Sequence, residues 1–357
     1  MSITKIVITG GPCAGKSTAM SRIQEELGQL GYKVFFIAES ATELITSGIS
    51  PLSPNFQTHL MQYQLGKEKV YEEVAKDLKD EKVIIVLDRG AIDNKIYMTD
   101  EEFAKVLKEI NLSEVELRDN YDAVFHLVTA AKGAREFYTL DNNPARYETP
   151  DEAAEKDDKL INAWTGHPHF RVIDNSTDFD TKIKRLIREI TSFLGEPEPL
   201  EIERKFLIEY PNLEWLESLP NVEKVDIIQT YLKSNPDEEV RVRQRGKDGS
   251  YIYTKTTKKK ISDLARIEIE KKLTQKEYLA YLMNADTTKH QIRKTRYCMT
   301  FDNCYLELDV YPFWNDKAIL EIELSSEDAK ISIPEEIKMI KEVTNDKTYR
   351  NYNIATL

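Results

Sequence analysis

Two different hydrophobic periods divide the chain. In the first half, short apolar runs alternate with amphipathic stretches of helical period at 17–30, 55–79 and 178–194. The runs predicted as strands are 5–9, 33–38, 82–87, 122–128 and 171–173. The run 82–87 is almost entirely apolar, which is typical of a strand covered on both faces. Such alternation predicts a parallel sheet with helices on both sides.

The second half has period two. Its eight strand-like runs lie at about 200–208, 225–233, 238–246, 250–257, 264–273, 290–299, 303–311 and 317–324, and helical patterns at 212–218, 275–284 and about 334–342. This pattern predicts an antiparallel sheet that closes on itself. The sequence GEPEP at 195–199 ends the preceding helix and stiffens a short linker. We therefore predict two domains: an α/β domain with a parallel sheet over 1–195, a linker at 196–199, and an α+β domain with an eight-stranded antiparallel β tunnel over 200–357.

Composition narrows the class of protein. The net charge of −12 argues against non-specific binding of duplex nucleic acid, since that binding needs a basic surface. No run of 18 apolar residues occurs, so no transmembrane helix is predicted, and the first nine residues are typical of a strand rather than a signal peptide. Cys13, Cys298 and Cys304 lack metal-type spacing and predict a reducing, cytoplasmic location. A disulfide between Cys298 and Cys304 across a hairpin is the alternative.

The sequence GGPCAGKS at 10–17 matches the phosphate-loop pattern G-x-x-x-x-G-K-[ST] between a predicted strand and a predicted helix. Glycines let the backbone approach phosphates, and the N–H groups at the helix N-terminus point at the anion. Lys16 is expected to reach the β- and γ-phosphates, and the Ser17 hydroxyl to ligate Mg²⁺. The candidate nucleotide contacts are Gly10, Gly11, Pro12, Cys13, Ala14, Gly15, Lys16, Ser17 and Thr18.

Further polar residues of the first half follow predicted strands. Asp88 is a candidate Mg²⁺ ligand, with a helix cap as the alternative, and Arg89 is a candidate clamp for phosphate or substrate. Glu39 is a candidate catalytic base, or equally a capping group. A polar stretch later in this half is typical of a mobile lid, and its Arg135 and Arg146 are candidates for contacting the transferred phosphoryl group. A plain surface loop is the alternative for that stretch.

These motifs resemble the P-loop kinase-like ATPases related to the nicotinamide riboside kinase regulator and the TRPL translocation-defect protein. The matching segments are GGPCAGKST from 10, AES from 38, LDRG from 87, AAKGAR from 130, NPARYET from 143 and IDN from 173. They run through nearly all of residues 1–194. The resemblance implies binding of ATP or GTP and leaves the acceptor of any phosphoryl transfer open.

Charged residues alternate with apolar ones along almost every predicted strand of the second half. Because residues i and i+2 share a face of a strand, these charges point together. A solvated sheet face is the alternative, but such a face rarely lacks Ser, Thr, Asn and Gln so thoroughly. A charged lining inside a closed sheet must be paired or bind ions. Carboxylate clusters suit Mg²⁺ or Mn²⁺, and convergent Arg and Lys suit a chain of phosphates.

This half resembles the CYTH, or triphosphate tunnel metalloenzyme, superfamily over 199–357. The matching segments are LEIERK from 200, IQTYL from 228, VRVR from 240, TK from 254, RIEIE from 266, KTRY from 294, LELD from 306, LEIE from 320 and EVTNDKTY from 342. The resemblance implies metal ligands at Glu201, Glu203, Glu307, Asp309, Glu321 and Glu323. It implies phosphate clamps at Lys205, Arg241, Arg243, Lys255, Arg266, Lys294 and Arg296, with a structural ion-pair ladder as the alternative for Arg266.

The sequence therefore predicts a bifunctional protein with an NTP-binding kinase-like domain and a metal-dependent hydrolase of tripolyphosphate, thiamine triphosphate or a nucleotide. Its candidate catalytic residues are Glu39, Arg146 and Lys205. The alternative is a nucleotide-switched binding protein whose tunnel captures a phosphorylated ligand or lipid headgroup without turnover, and cyclisation of ATP also stays open. Residues 199–357 hold 26 Lys and Arg against 28 Asp and Glu, so the acidity belongs mainly to the first domain.

Overall fold

The computed structural model describes residues 3–78, 81–135, 138, 148–196, 202–235, 238–260, 266–324 and 331–356. The chain forms two compact units, Met1–Thr191 and Ser192–Leu357. Across these described ranges, no helix is long and apolar enough to cross a membrane.

The first unit is built on a five-stranded parallel sheet. Its strands are β1 (Thr4–Thr9), β2 (Tyr32–Ile37), β3 (Lys82–Asp88), β4 (Ala123–Leu127) and β5 (Phe170–Ile173), in the order β2-β3-β1-β4-β5. Its helices are α1 (Lys16–Gln29), α2 (Ser40–Thr46), α3 (Phe56–Asp77), α4 (Asp100–Ile110), α5 (Glu114–Arg118), α6 (Pro150–Trp164) and α7 (Phe179–Phe193), with a 3-10 helix at Ala91–Tyr97. The α/β prediction is confirmed.

The register of the sheet brings three strand ends together. Ile8 of β1 lies beside Asp88 of β3 and beside Phe125 of β4. Residues 83–87 and the whole of β4 are buried, because helices cover both faces of a parallel sheet. The loop after β1 therefore opens at the centre of the carboxyl edge, which is where ligands bind in sheets of this type.

Local sequence fixes where the helices begin. The side chains of Thr99, Ser113 and Thr149 each accept a hydrogen bond from the backbone N–H three residues later, where a glutamate completes a capping box. Pro150 then starts α6 at a position where its missing N–H costs nothing. These caps fix the first residues of the helices, including α6.

The second unit is a nine-stranded antiparallel sheet. Its strands are β6 (Ile202–Glu209), β7 (Val222–Leu232), β8 (Glu238–Lys247), β9 (Ser250–Lys260), β10 (Arg266–Leu273), β11 (Ile292–Phe301), β12 (Cys304–Val310), β13 (Lys317–Leu324) and β14 (Met339–Glu342). Their order is β10-β9-β8-β7-β11-β12-β13-β6-β14. The helices are α8 (Leu213–Ser218), α9 (Gln275–Leu282) and α10 (Asn351–Ile354), with a 3-10 helix at Lys347–Tyr349.

The predicted fold class is confirmed, and the strand count of eight is wrong by one. The ninth strand, β14, falls in the segment predicted as a helix at about 334–342. It is only four exposed residues long and pairs with β6 through a register shift, so no period could reveal it. Among the described residues, no ladder joins the two edge strands β10 and β14.

The two faces of this sheet bury different side chains. On one face, α8 packs on a cluster that includes Phe206, Leu308 and Leu320. On the same face further along, α9 packs on Val242 and Leu273. The opposite face carries the alternating charged residues. Near one end, an apolar group caps that charged face, and its members are Leu207, Tyr231, Ile292, Tyr311, Ile319, Val343, Ile354 and Ala355.

Candidate functional site

The phosphate loop joins β1 to α1 and depends on two glycines. Gly10 has φ +145°, and a Cβ there would lie 2.1 Å from the carbonyl oxygen of Leu127. Gly15 has φ +93°, and its Cβ would lie 2.5 Å from the Phe179 ring. Larger residues would push the loop away from β4 and α7. The loop is therefore held tightly against the sheet at the N-terminus of α1, as an anion site requires.

Lys16 and the Glu39–Arg89 ion pair lie together beside the loop. Lys16 Nζ donates to the carbonyl of Gly10 at 3.2 Å, and burial together with Arg89 lowers the pKa of Lys16. Arg89 Nε lies 2.6 Å from Glu39 Oε1. Although burial opposes it, the charges of Arg89 and Lys16 hold the pKa of Glu39 below its usual range. Glu39 precedes α2 but makes no side-chain cap to that helix, so the predicted capping role does not fit this placement.

Asp88 ends β3 with an unsatisfied oxygen. Asp88 Oδ1 is buried and has no hydrogen-bond partner among the described residues, and burial raises the pKa of this carboxyl. The predicted alternative of a cap does not fit, because Asp93 instead accepts from the N–H of Gly90 at the start of the 3-10 helix. A buried carboxylate oxygen without a donor needs a cation. Asp88 and the exposed Ser17 at the start of α1 therefore fit the donor set of a Mg²⁺ site.

Asp157 was not predicted from the sequence, yet it holds the loop from α6. Its Oδ1 accepts from the N–H of Gly11 at 3.0 Å and of Thr129 at 3.1 Å, and lies 2.9 Å from His126 Nε2. Its Oδ2 accepts from Lys132 Nζ at 3.1 Å. These partners outweigh burial and hold the pKa of Asp157 below its usual range. In the sequence DEAAEKDDK nothing separates Asp157 from the acidic residues around it.

Replacing the Asp157 carboxylate should weaken the first unit. Asp157→Asn removes the charge that satisfies four donors, and we expect a loss of about 3 kcal/mol of unfolding free energy. Because the pKa is depressed, this stabilisation is present at neutral pH and is lost on acidification. Thermal unfolding between pH 3 and 7 should show a flatter profile for the variant. Asp158→Asn is the matched control, since Asp158 is largely exposed and should not change the profile; equal effects of the two variants would contradict this role.

Of the two predicted lid residues, the structure describes Arg135 and does not bring it to the loop. Arg135 is exposed and pairs with Asp151 near the start of α6. Arg146 lies outside the described residues. The structure therefore places Glu39, Asp88 and Arg89 around Lys16 and leaves the predicted contact of Arg135 with the transferred phosphoryl group without support.

The second site is the charged face of the nine-stranded sheet, which we call the charged face below. Register defines it, because directly paired residues share a face: Glu203 pairs with Glu323, and Lys205 with Glu321. Glu321 in turn pairs with Glu307, and Arg296 with Asp309. Its described members include Glu203, Lys205, Arg241, Arg243, Arg245, Glu270, Lys294, Arg296, Glu307, Asp309, Glu321 and Glu323.

Arg296 neutralises three carboxylates of the charged face. It donates to Asp309 through Nε and Nη2 at 2.7 Å each, to Glu321 at 2.5 Å, and to Glu307. Although burial opposes it, these carboxylates raise the pKa of Arg296 well above its ordinary value. Lys294 also donates to Asp309. Burial and the neighbouring Arg296 nevertheless lower the pKa of Lys294.

Lys205 bridges two strands on the same face. Its Nζ lies 2.7 Å from Glu321 Oε1 and 3.2 Å from Glu203 Oε1. These two carboxylates raise the pKa of Lys205, against the effect of burial. The charge of Lys205, with Lys294 and Arg296, holds the pKa of Glu321 well below its usual range. Lys205 is therefore a charged, fixed group within this network.

The arginines of β8 form the cationic side of the face. Arg243 has a buried Nε without a hydrogen-bond partner, and the described residues give it no ion pair. Burial and the nearby Arg241, with Arg296 and Arg245, lower the pKa of Arg243 to about 10, although the carboxylate of Glu270 opposes this shift. Burial and the neighbouring cations therefore outweigh Glu270 in setting the pKa of Arg243.

Three residues were predicted to line the charged face, and the described side chains do not confirm that position for any of them. Lys255 pairs in register with Val242, while Arg243 pairs with Thr254, so Lys255 lies on the opposite face. There its Nζ stands 4.7 Å above the centre of the Tyr281 ring of α9. The predicted clamp role of Lys255 does not fit this placement. Glu201 and the side chain of Arg266 lie outside the described residues.

The carboxylates only partly fit the predicted metal site. Across the parts of the chain that the structure describes, no three His, Cys, Asp or Glu side chains come together as a metal centre. Glu307, Asp309 and Glu321 already share Arg296, which occupies the place of a cation between them. Glu203 and Glu323 face each other directly across β6 and β13, an arrangement that favours a shared cation. Among the described carboxylates, the pair Glu203 and Glu323 therefore fits a divalent cation site best.

No disulfide joins the three cysteines, and Cys298 and Cys304 do not face each other. Cys298 pairs in register with Glu307, whereas Cys304 pairs with Phe301. Burial and the nearby Glu307 raise the pKa of the Cys298 thiol to about 11. The alternative of a disulfide across this hairpin is therefore wrong.

Family comparisons assign both halves. The AAA domain family model matches residues 5–182, and the CYTH domain family model matches residues 199–349. No curated protein matches the chain. An inorganic triphosphatase structure is 28% identical over 44% of this chain and 95% of its own, with a TM-score of 0.33. A deoxyadenosine kinase from M. mycoides with bound dATP is 20% identical over 53% of this chain and 100% of its own, with a TM-score of 0.38.

The family models agree with the two sites described above. The first match contains the phosphate loop with Lys16, Asp88 and Glu39, and the second contains the charged face. The TM-scores of the solved structures are too low to add to this assignment. The chain consists of a P-loop kinase-like AAA domain followed by a CYTH domain.

Proposed function

We propose that this chain is a bifunctional, cytoplasmic nucleotide-binding protein. Its AAA domain, over 1–195, binds ATP or GTP with Mg²⁺. After a linker at 196–199, its CYTH domain, over 200–357, hydrolyses a triphosphate in the presence of Mg²⁺ or Mn²⁺. The observation that carries the proposal is Arg243, whose buried Nε has no hydrogen-bond partner among the described residues and which lies among other cations.

A polyanion is the ligand that satisfies Arg243. A buried guanidinium without a partner is costly, and that cost is removed when phosphate oxygens accept its N–H groups. Arg241 and Arg245 stand two residues away on either side along β8, and Lys294 lies in line with Arg245 across β7. Three arginines at this spacing match a chain of phosphates better than a single carboxylate.

Hydrolysis requires that water attack the terminal phosphorus while the bond to the bridging oxygen breaks. Arg241, Arg243 and Lys294 would hold the phosphate chain in line and balance the charge on its oxygens. Glu203 and Glu323, with Glu201 two positions earlier in the sequence, would hold the divalent ion. That ion supplies charge neutralisation at the phosphoryl oxygens when it is bound. Lys205 would keep Glu203 and Glu321 oriented toward this region.

In the AAA domain, the phosphate loop would bind the triphosphate and Lys16 would contact its terminal groups. Asp88 and Ser17 would hold Mg²⁺. Glu39 is ionised beside Arg89 and suits the removal of a proton from an acceptor hydroxyl. Arg146 remains a proposed contact for the transferred phosphoryl group. The acceptor is not defined by these residues.

One observation favours a second candidate function. Arg296 neutralises Glu307, Asp309 and Glu321 without a metal ion, which leaves few carboxylates for catalysis. A charged face that binds a phosphorylated ligand or lipid headgroup without turnover would be built in this way. The AAA domain would then act as a nucleotide switch.

A substrate panel separates these functions. The protein is incubated with Mg²⁺ or Mn²⁺ and with tripolyphosphate, thiamine triphosphate, ATP or GTP, and released phosphate is measured. We expect release from at least one triphosphate. Binding of tripolyphosphate without release from any of the four supports the binding protein and contradicts the hydrolase.

Nucleotide binding by the AAA domain has its own test. Lys16→Ala should raise the Kd for MgATP or MgGTP at least 100-fold, because the residue supplies the positive charge beside the phosphate loop. Isothermal titration calorimetry of the full chain measures this change. Lys33→Ala is the matched control, since Lys33 is an exposed residue of β2 paired with Glu81. Equal affinity of wild type and Lys16→Ala would contradict nucleotide binding at this loop.

A further inference from the structure

The backbone carbonyl groups of the phosphate loop accept hydrogen bonds. Four consecutive carbonyl oxygens accept hydrogen bonds, and the two side-chain donors come from elements far away in sequence. The bonds are Thr129 Oγ1 to Pro12, Ala130 N to Cys13 at 3.3 Å, Lys182 Nζ to Ala14 at 3.3 Å, and Ala19 N to Gly15 at 3.0 Å. The segment after β4 and the first turn of α7 therefore hold the loop through hydrogen bonds to its carbonyl groups.

These hydrogen bonds determine the direction of the N–H groups in the loop. In a trans peptide the C=O and N–H bonds point in opposite directions. With the carbonyls of Pro12 and Ala14 held by Thr129 and Lys182, the N–H groups of the next residues, Cys13 and Gly15, are directed to the opposite side. Backbone N–H groups that converge in this way form an anion site.

The ammonium group of Lys182 makes three hydrogen bonds in this arrangement. The residue is 2% exposed, and its Nζ also donates to the carbonyl of Val128 at 2.6 Å and to Asn175 Oδ1 at 2.7 Å. Asn175 Nδ2 donates in turn to the carbonyls of Thr129 and Lys132, each at 2.7 Å. Three ammonium protons thus meet three acceptors. Lys182 joins the phosphate loop, the end of β4 and the loop after β5.

We propose that Thr129 and Lys182 are positioning residues that preorganise the phosphate loop for its anion. The inference rests on the proposed ATP or GTP binding by this loop and adds two residues outside the loop motif. Neither residue would touch the nucleotide. Each acts through a loop carbonyl, so its loss should let the loop peptides rotate and should weaken phosphate binding.

The proposal is tested by titrating MgATP and MgGTP into the full chain by calorimetry. Thr129→Val removes only the hydroxyl and should raise the Kd about tenfold, the size of one lost hydrogen bond. Thr129→Ser keeps the hydroxyl and should restore the affinity to within about twofold of wild type. Lys182→Met should raise the Kd by more than Thr129→Val. Lys184→Met, an exposed residue on the same helix, is the matched control.

The pH profile gives a second readout. Burial lowers the pKa of Lys182 to about 8, and Arg185 acts in the same direction, whereas Asp157 and Asp174 oppose both. Protonated Lys182 is required for all three bonds, so wild-type affinity for MgATP should fall as the pH rises from 7 to 9. Lys182→Met should remove this dependence, whereas a merely structural role would leave the profile of the folded variant unchanged.

The outcomes are distinguishable. Wild-type binding with unchanged affinity in Thr129→Val and Lys182→Met overturns this inference and leaves the proposed function intact. A lowered unfolding temperature with unchanged affinity likewise overturns it, since the residues would then be structural only. If Lys182→Met does not fold, the comparison of Thr129→Val with Thr129→Ser decides. No binding of either nucleotide by the wild type overturns the proposed function and this inference together.

Discussion

Arg296→Met should destabilise the CYTH domain by about 4 kcal/mol, because removing one partner of a buried ion pair leaves an uncompensated charge. Here one guanidinium serves Glu307, Asp309 and Glu321, and its side chain is 12% exposed. Methionine fills much of the same volume and supplies no charge. Thermal or denaturant unfolding of the second unit measures the loss.

The control for this change lies on the same strand. Arg293 is exposed, and among the described residues its Nε donates to Gln291 at 3.0 Å and to no carboxylate, so Arg293→Met should leave the unfolding temperature unchanged. Lowering the pH should reduce the loss in Arg296→Met, because protonation of the buried Glu321 relieves the repulsion among carboxylates that have lost their cation. The wild type should instead become less stable as the pH falls. The depressed pKa of Glu321 means that the stabilisation from its ionised form is lost on acidification. Equal effects of the two methionine variants would contradict the account.

Arg243→Met should do the reverse: it should retain or raise stability and lose phosphate binding. Arg243 lies among Arg241, Arg245 and Arg296, and burial with these cations lowers its pKa to about 10. Removing it relieves repulsion among these cations, and the affinity for tripolyphosphate should fall about 100-fold, as expected when two charged hydrogen bonds to phosphate are lost. Titration calorimetry and thermal unfolding on the same samples measure both effects.

Lys255→Met is the matched control for Arg243→Met. The sequence motif groups both residues as phosphate clamps, but the register places Lys255 on the opposite face under α9. Its replacement should therefore leave the affinity for tripolyphosphate unchanged. A loss in Lys255→Met equal to that in Arg243→Met would contradict the register as the basis for the site.

The sequence alone predicts the features of the fold that depend on the local hydrophobic period. Period two identified eight strands and grouped Arg241 with Arg243, and Lys294 with Arg296, on shared faces, as the ladders confirm. Period cannot relate one strand to the next, so it offers no check on Lys255, which the family resemblance alone groups with the clamps. It also cannot show that Arg296 meets carboxylates from β12 and β13, since that contact depends on strand order.

The residues behind the phosphate loop were missed for a related reason. Lys182 and Ala14 are 168 positions apart, and Asp157 and Gly11 are 146 apart. No local pattern marks a lysine or an aspartate as the partner of a distant backbone group. A strand, a glycine-rich turn and a helix define the loop motif, whereas the buried polar groups that hold it become visible only when the helices are packed on the sheet.

The central claim is that the chain holds two phosphate sites and that the CYTH domain hydrolyses a triphosphate. The most direct measurement is kcat/KM for release of phosphate from tripolyphosphate with Mg²⁺ in wild type, Lys16→Ala and the double variant Glu203→Gln/Glu323→Gln. The account predicts that Lys16→Ala retains the wild-type value and that the double variant loses at least 100-fold, because its carboxylates would hold the divalent ion. Loss in Lys16→Ala with retention in the double variant would contradict it and place the reaction in the AAA domain.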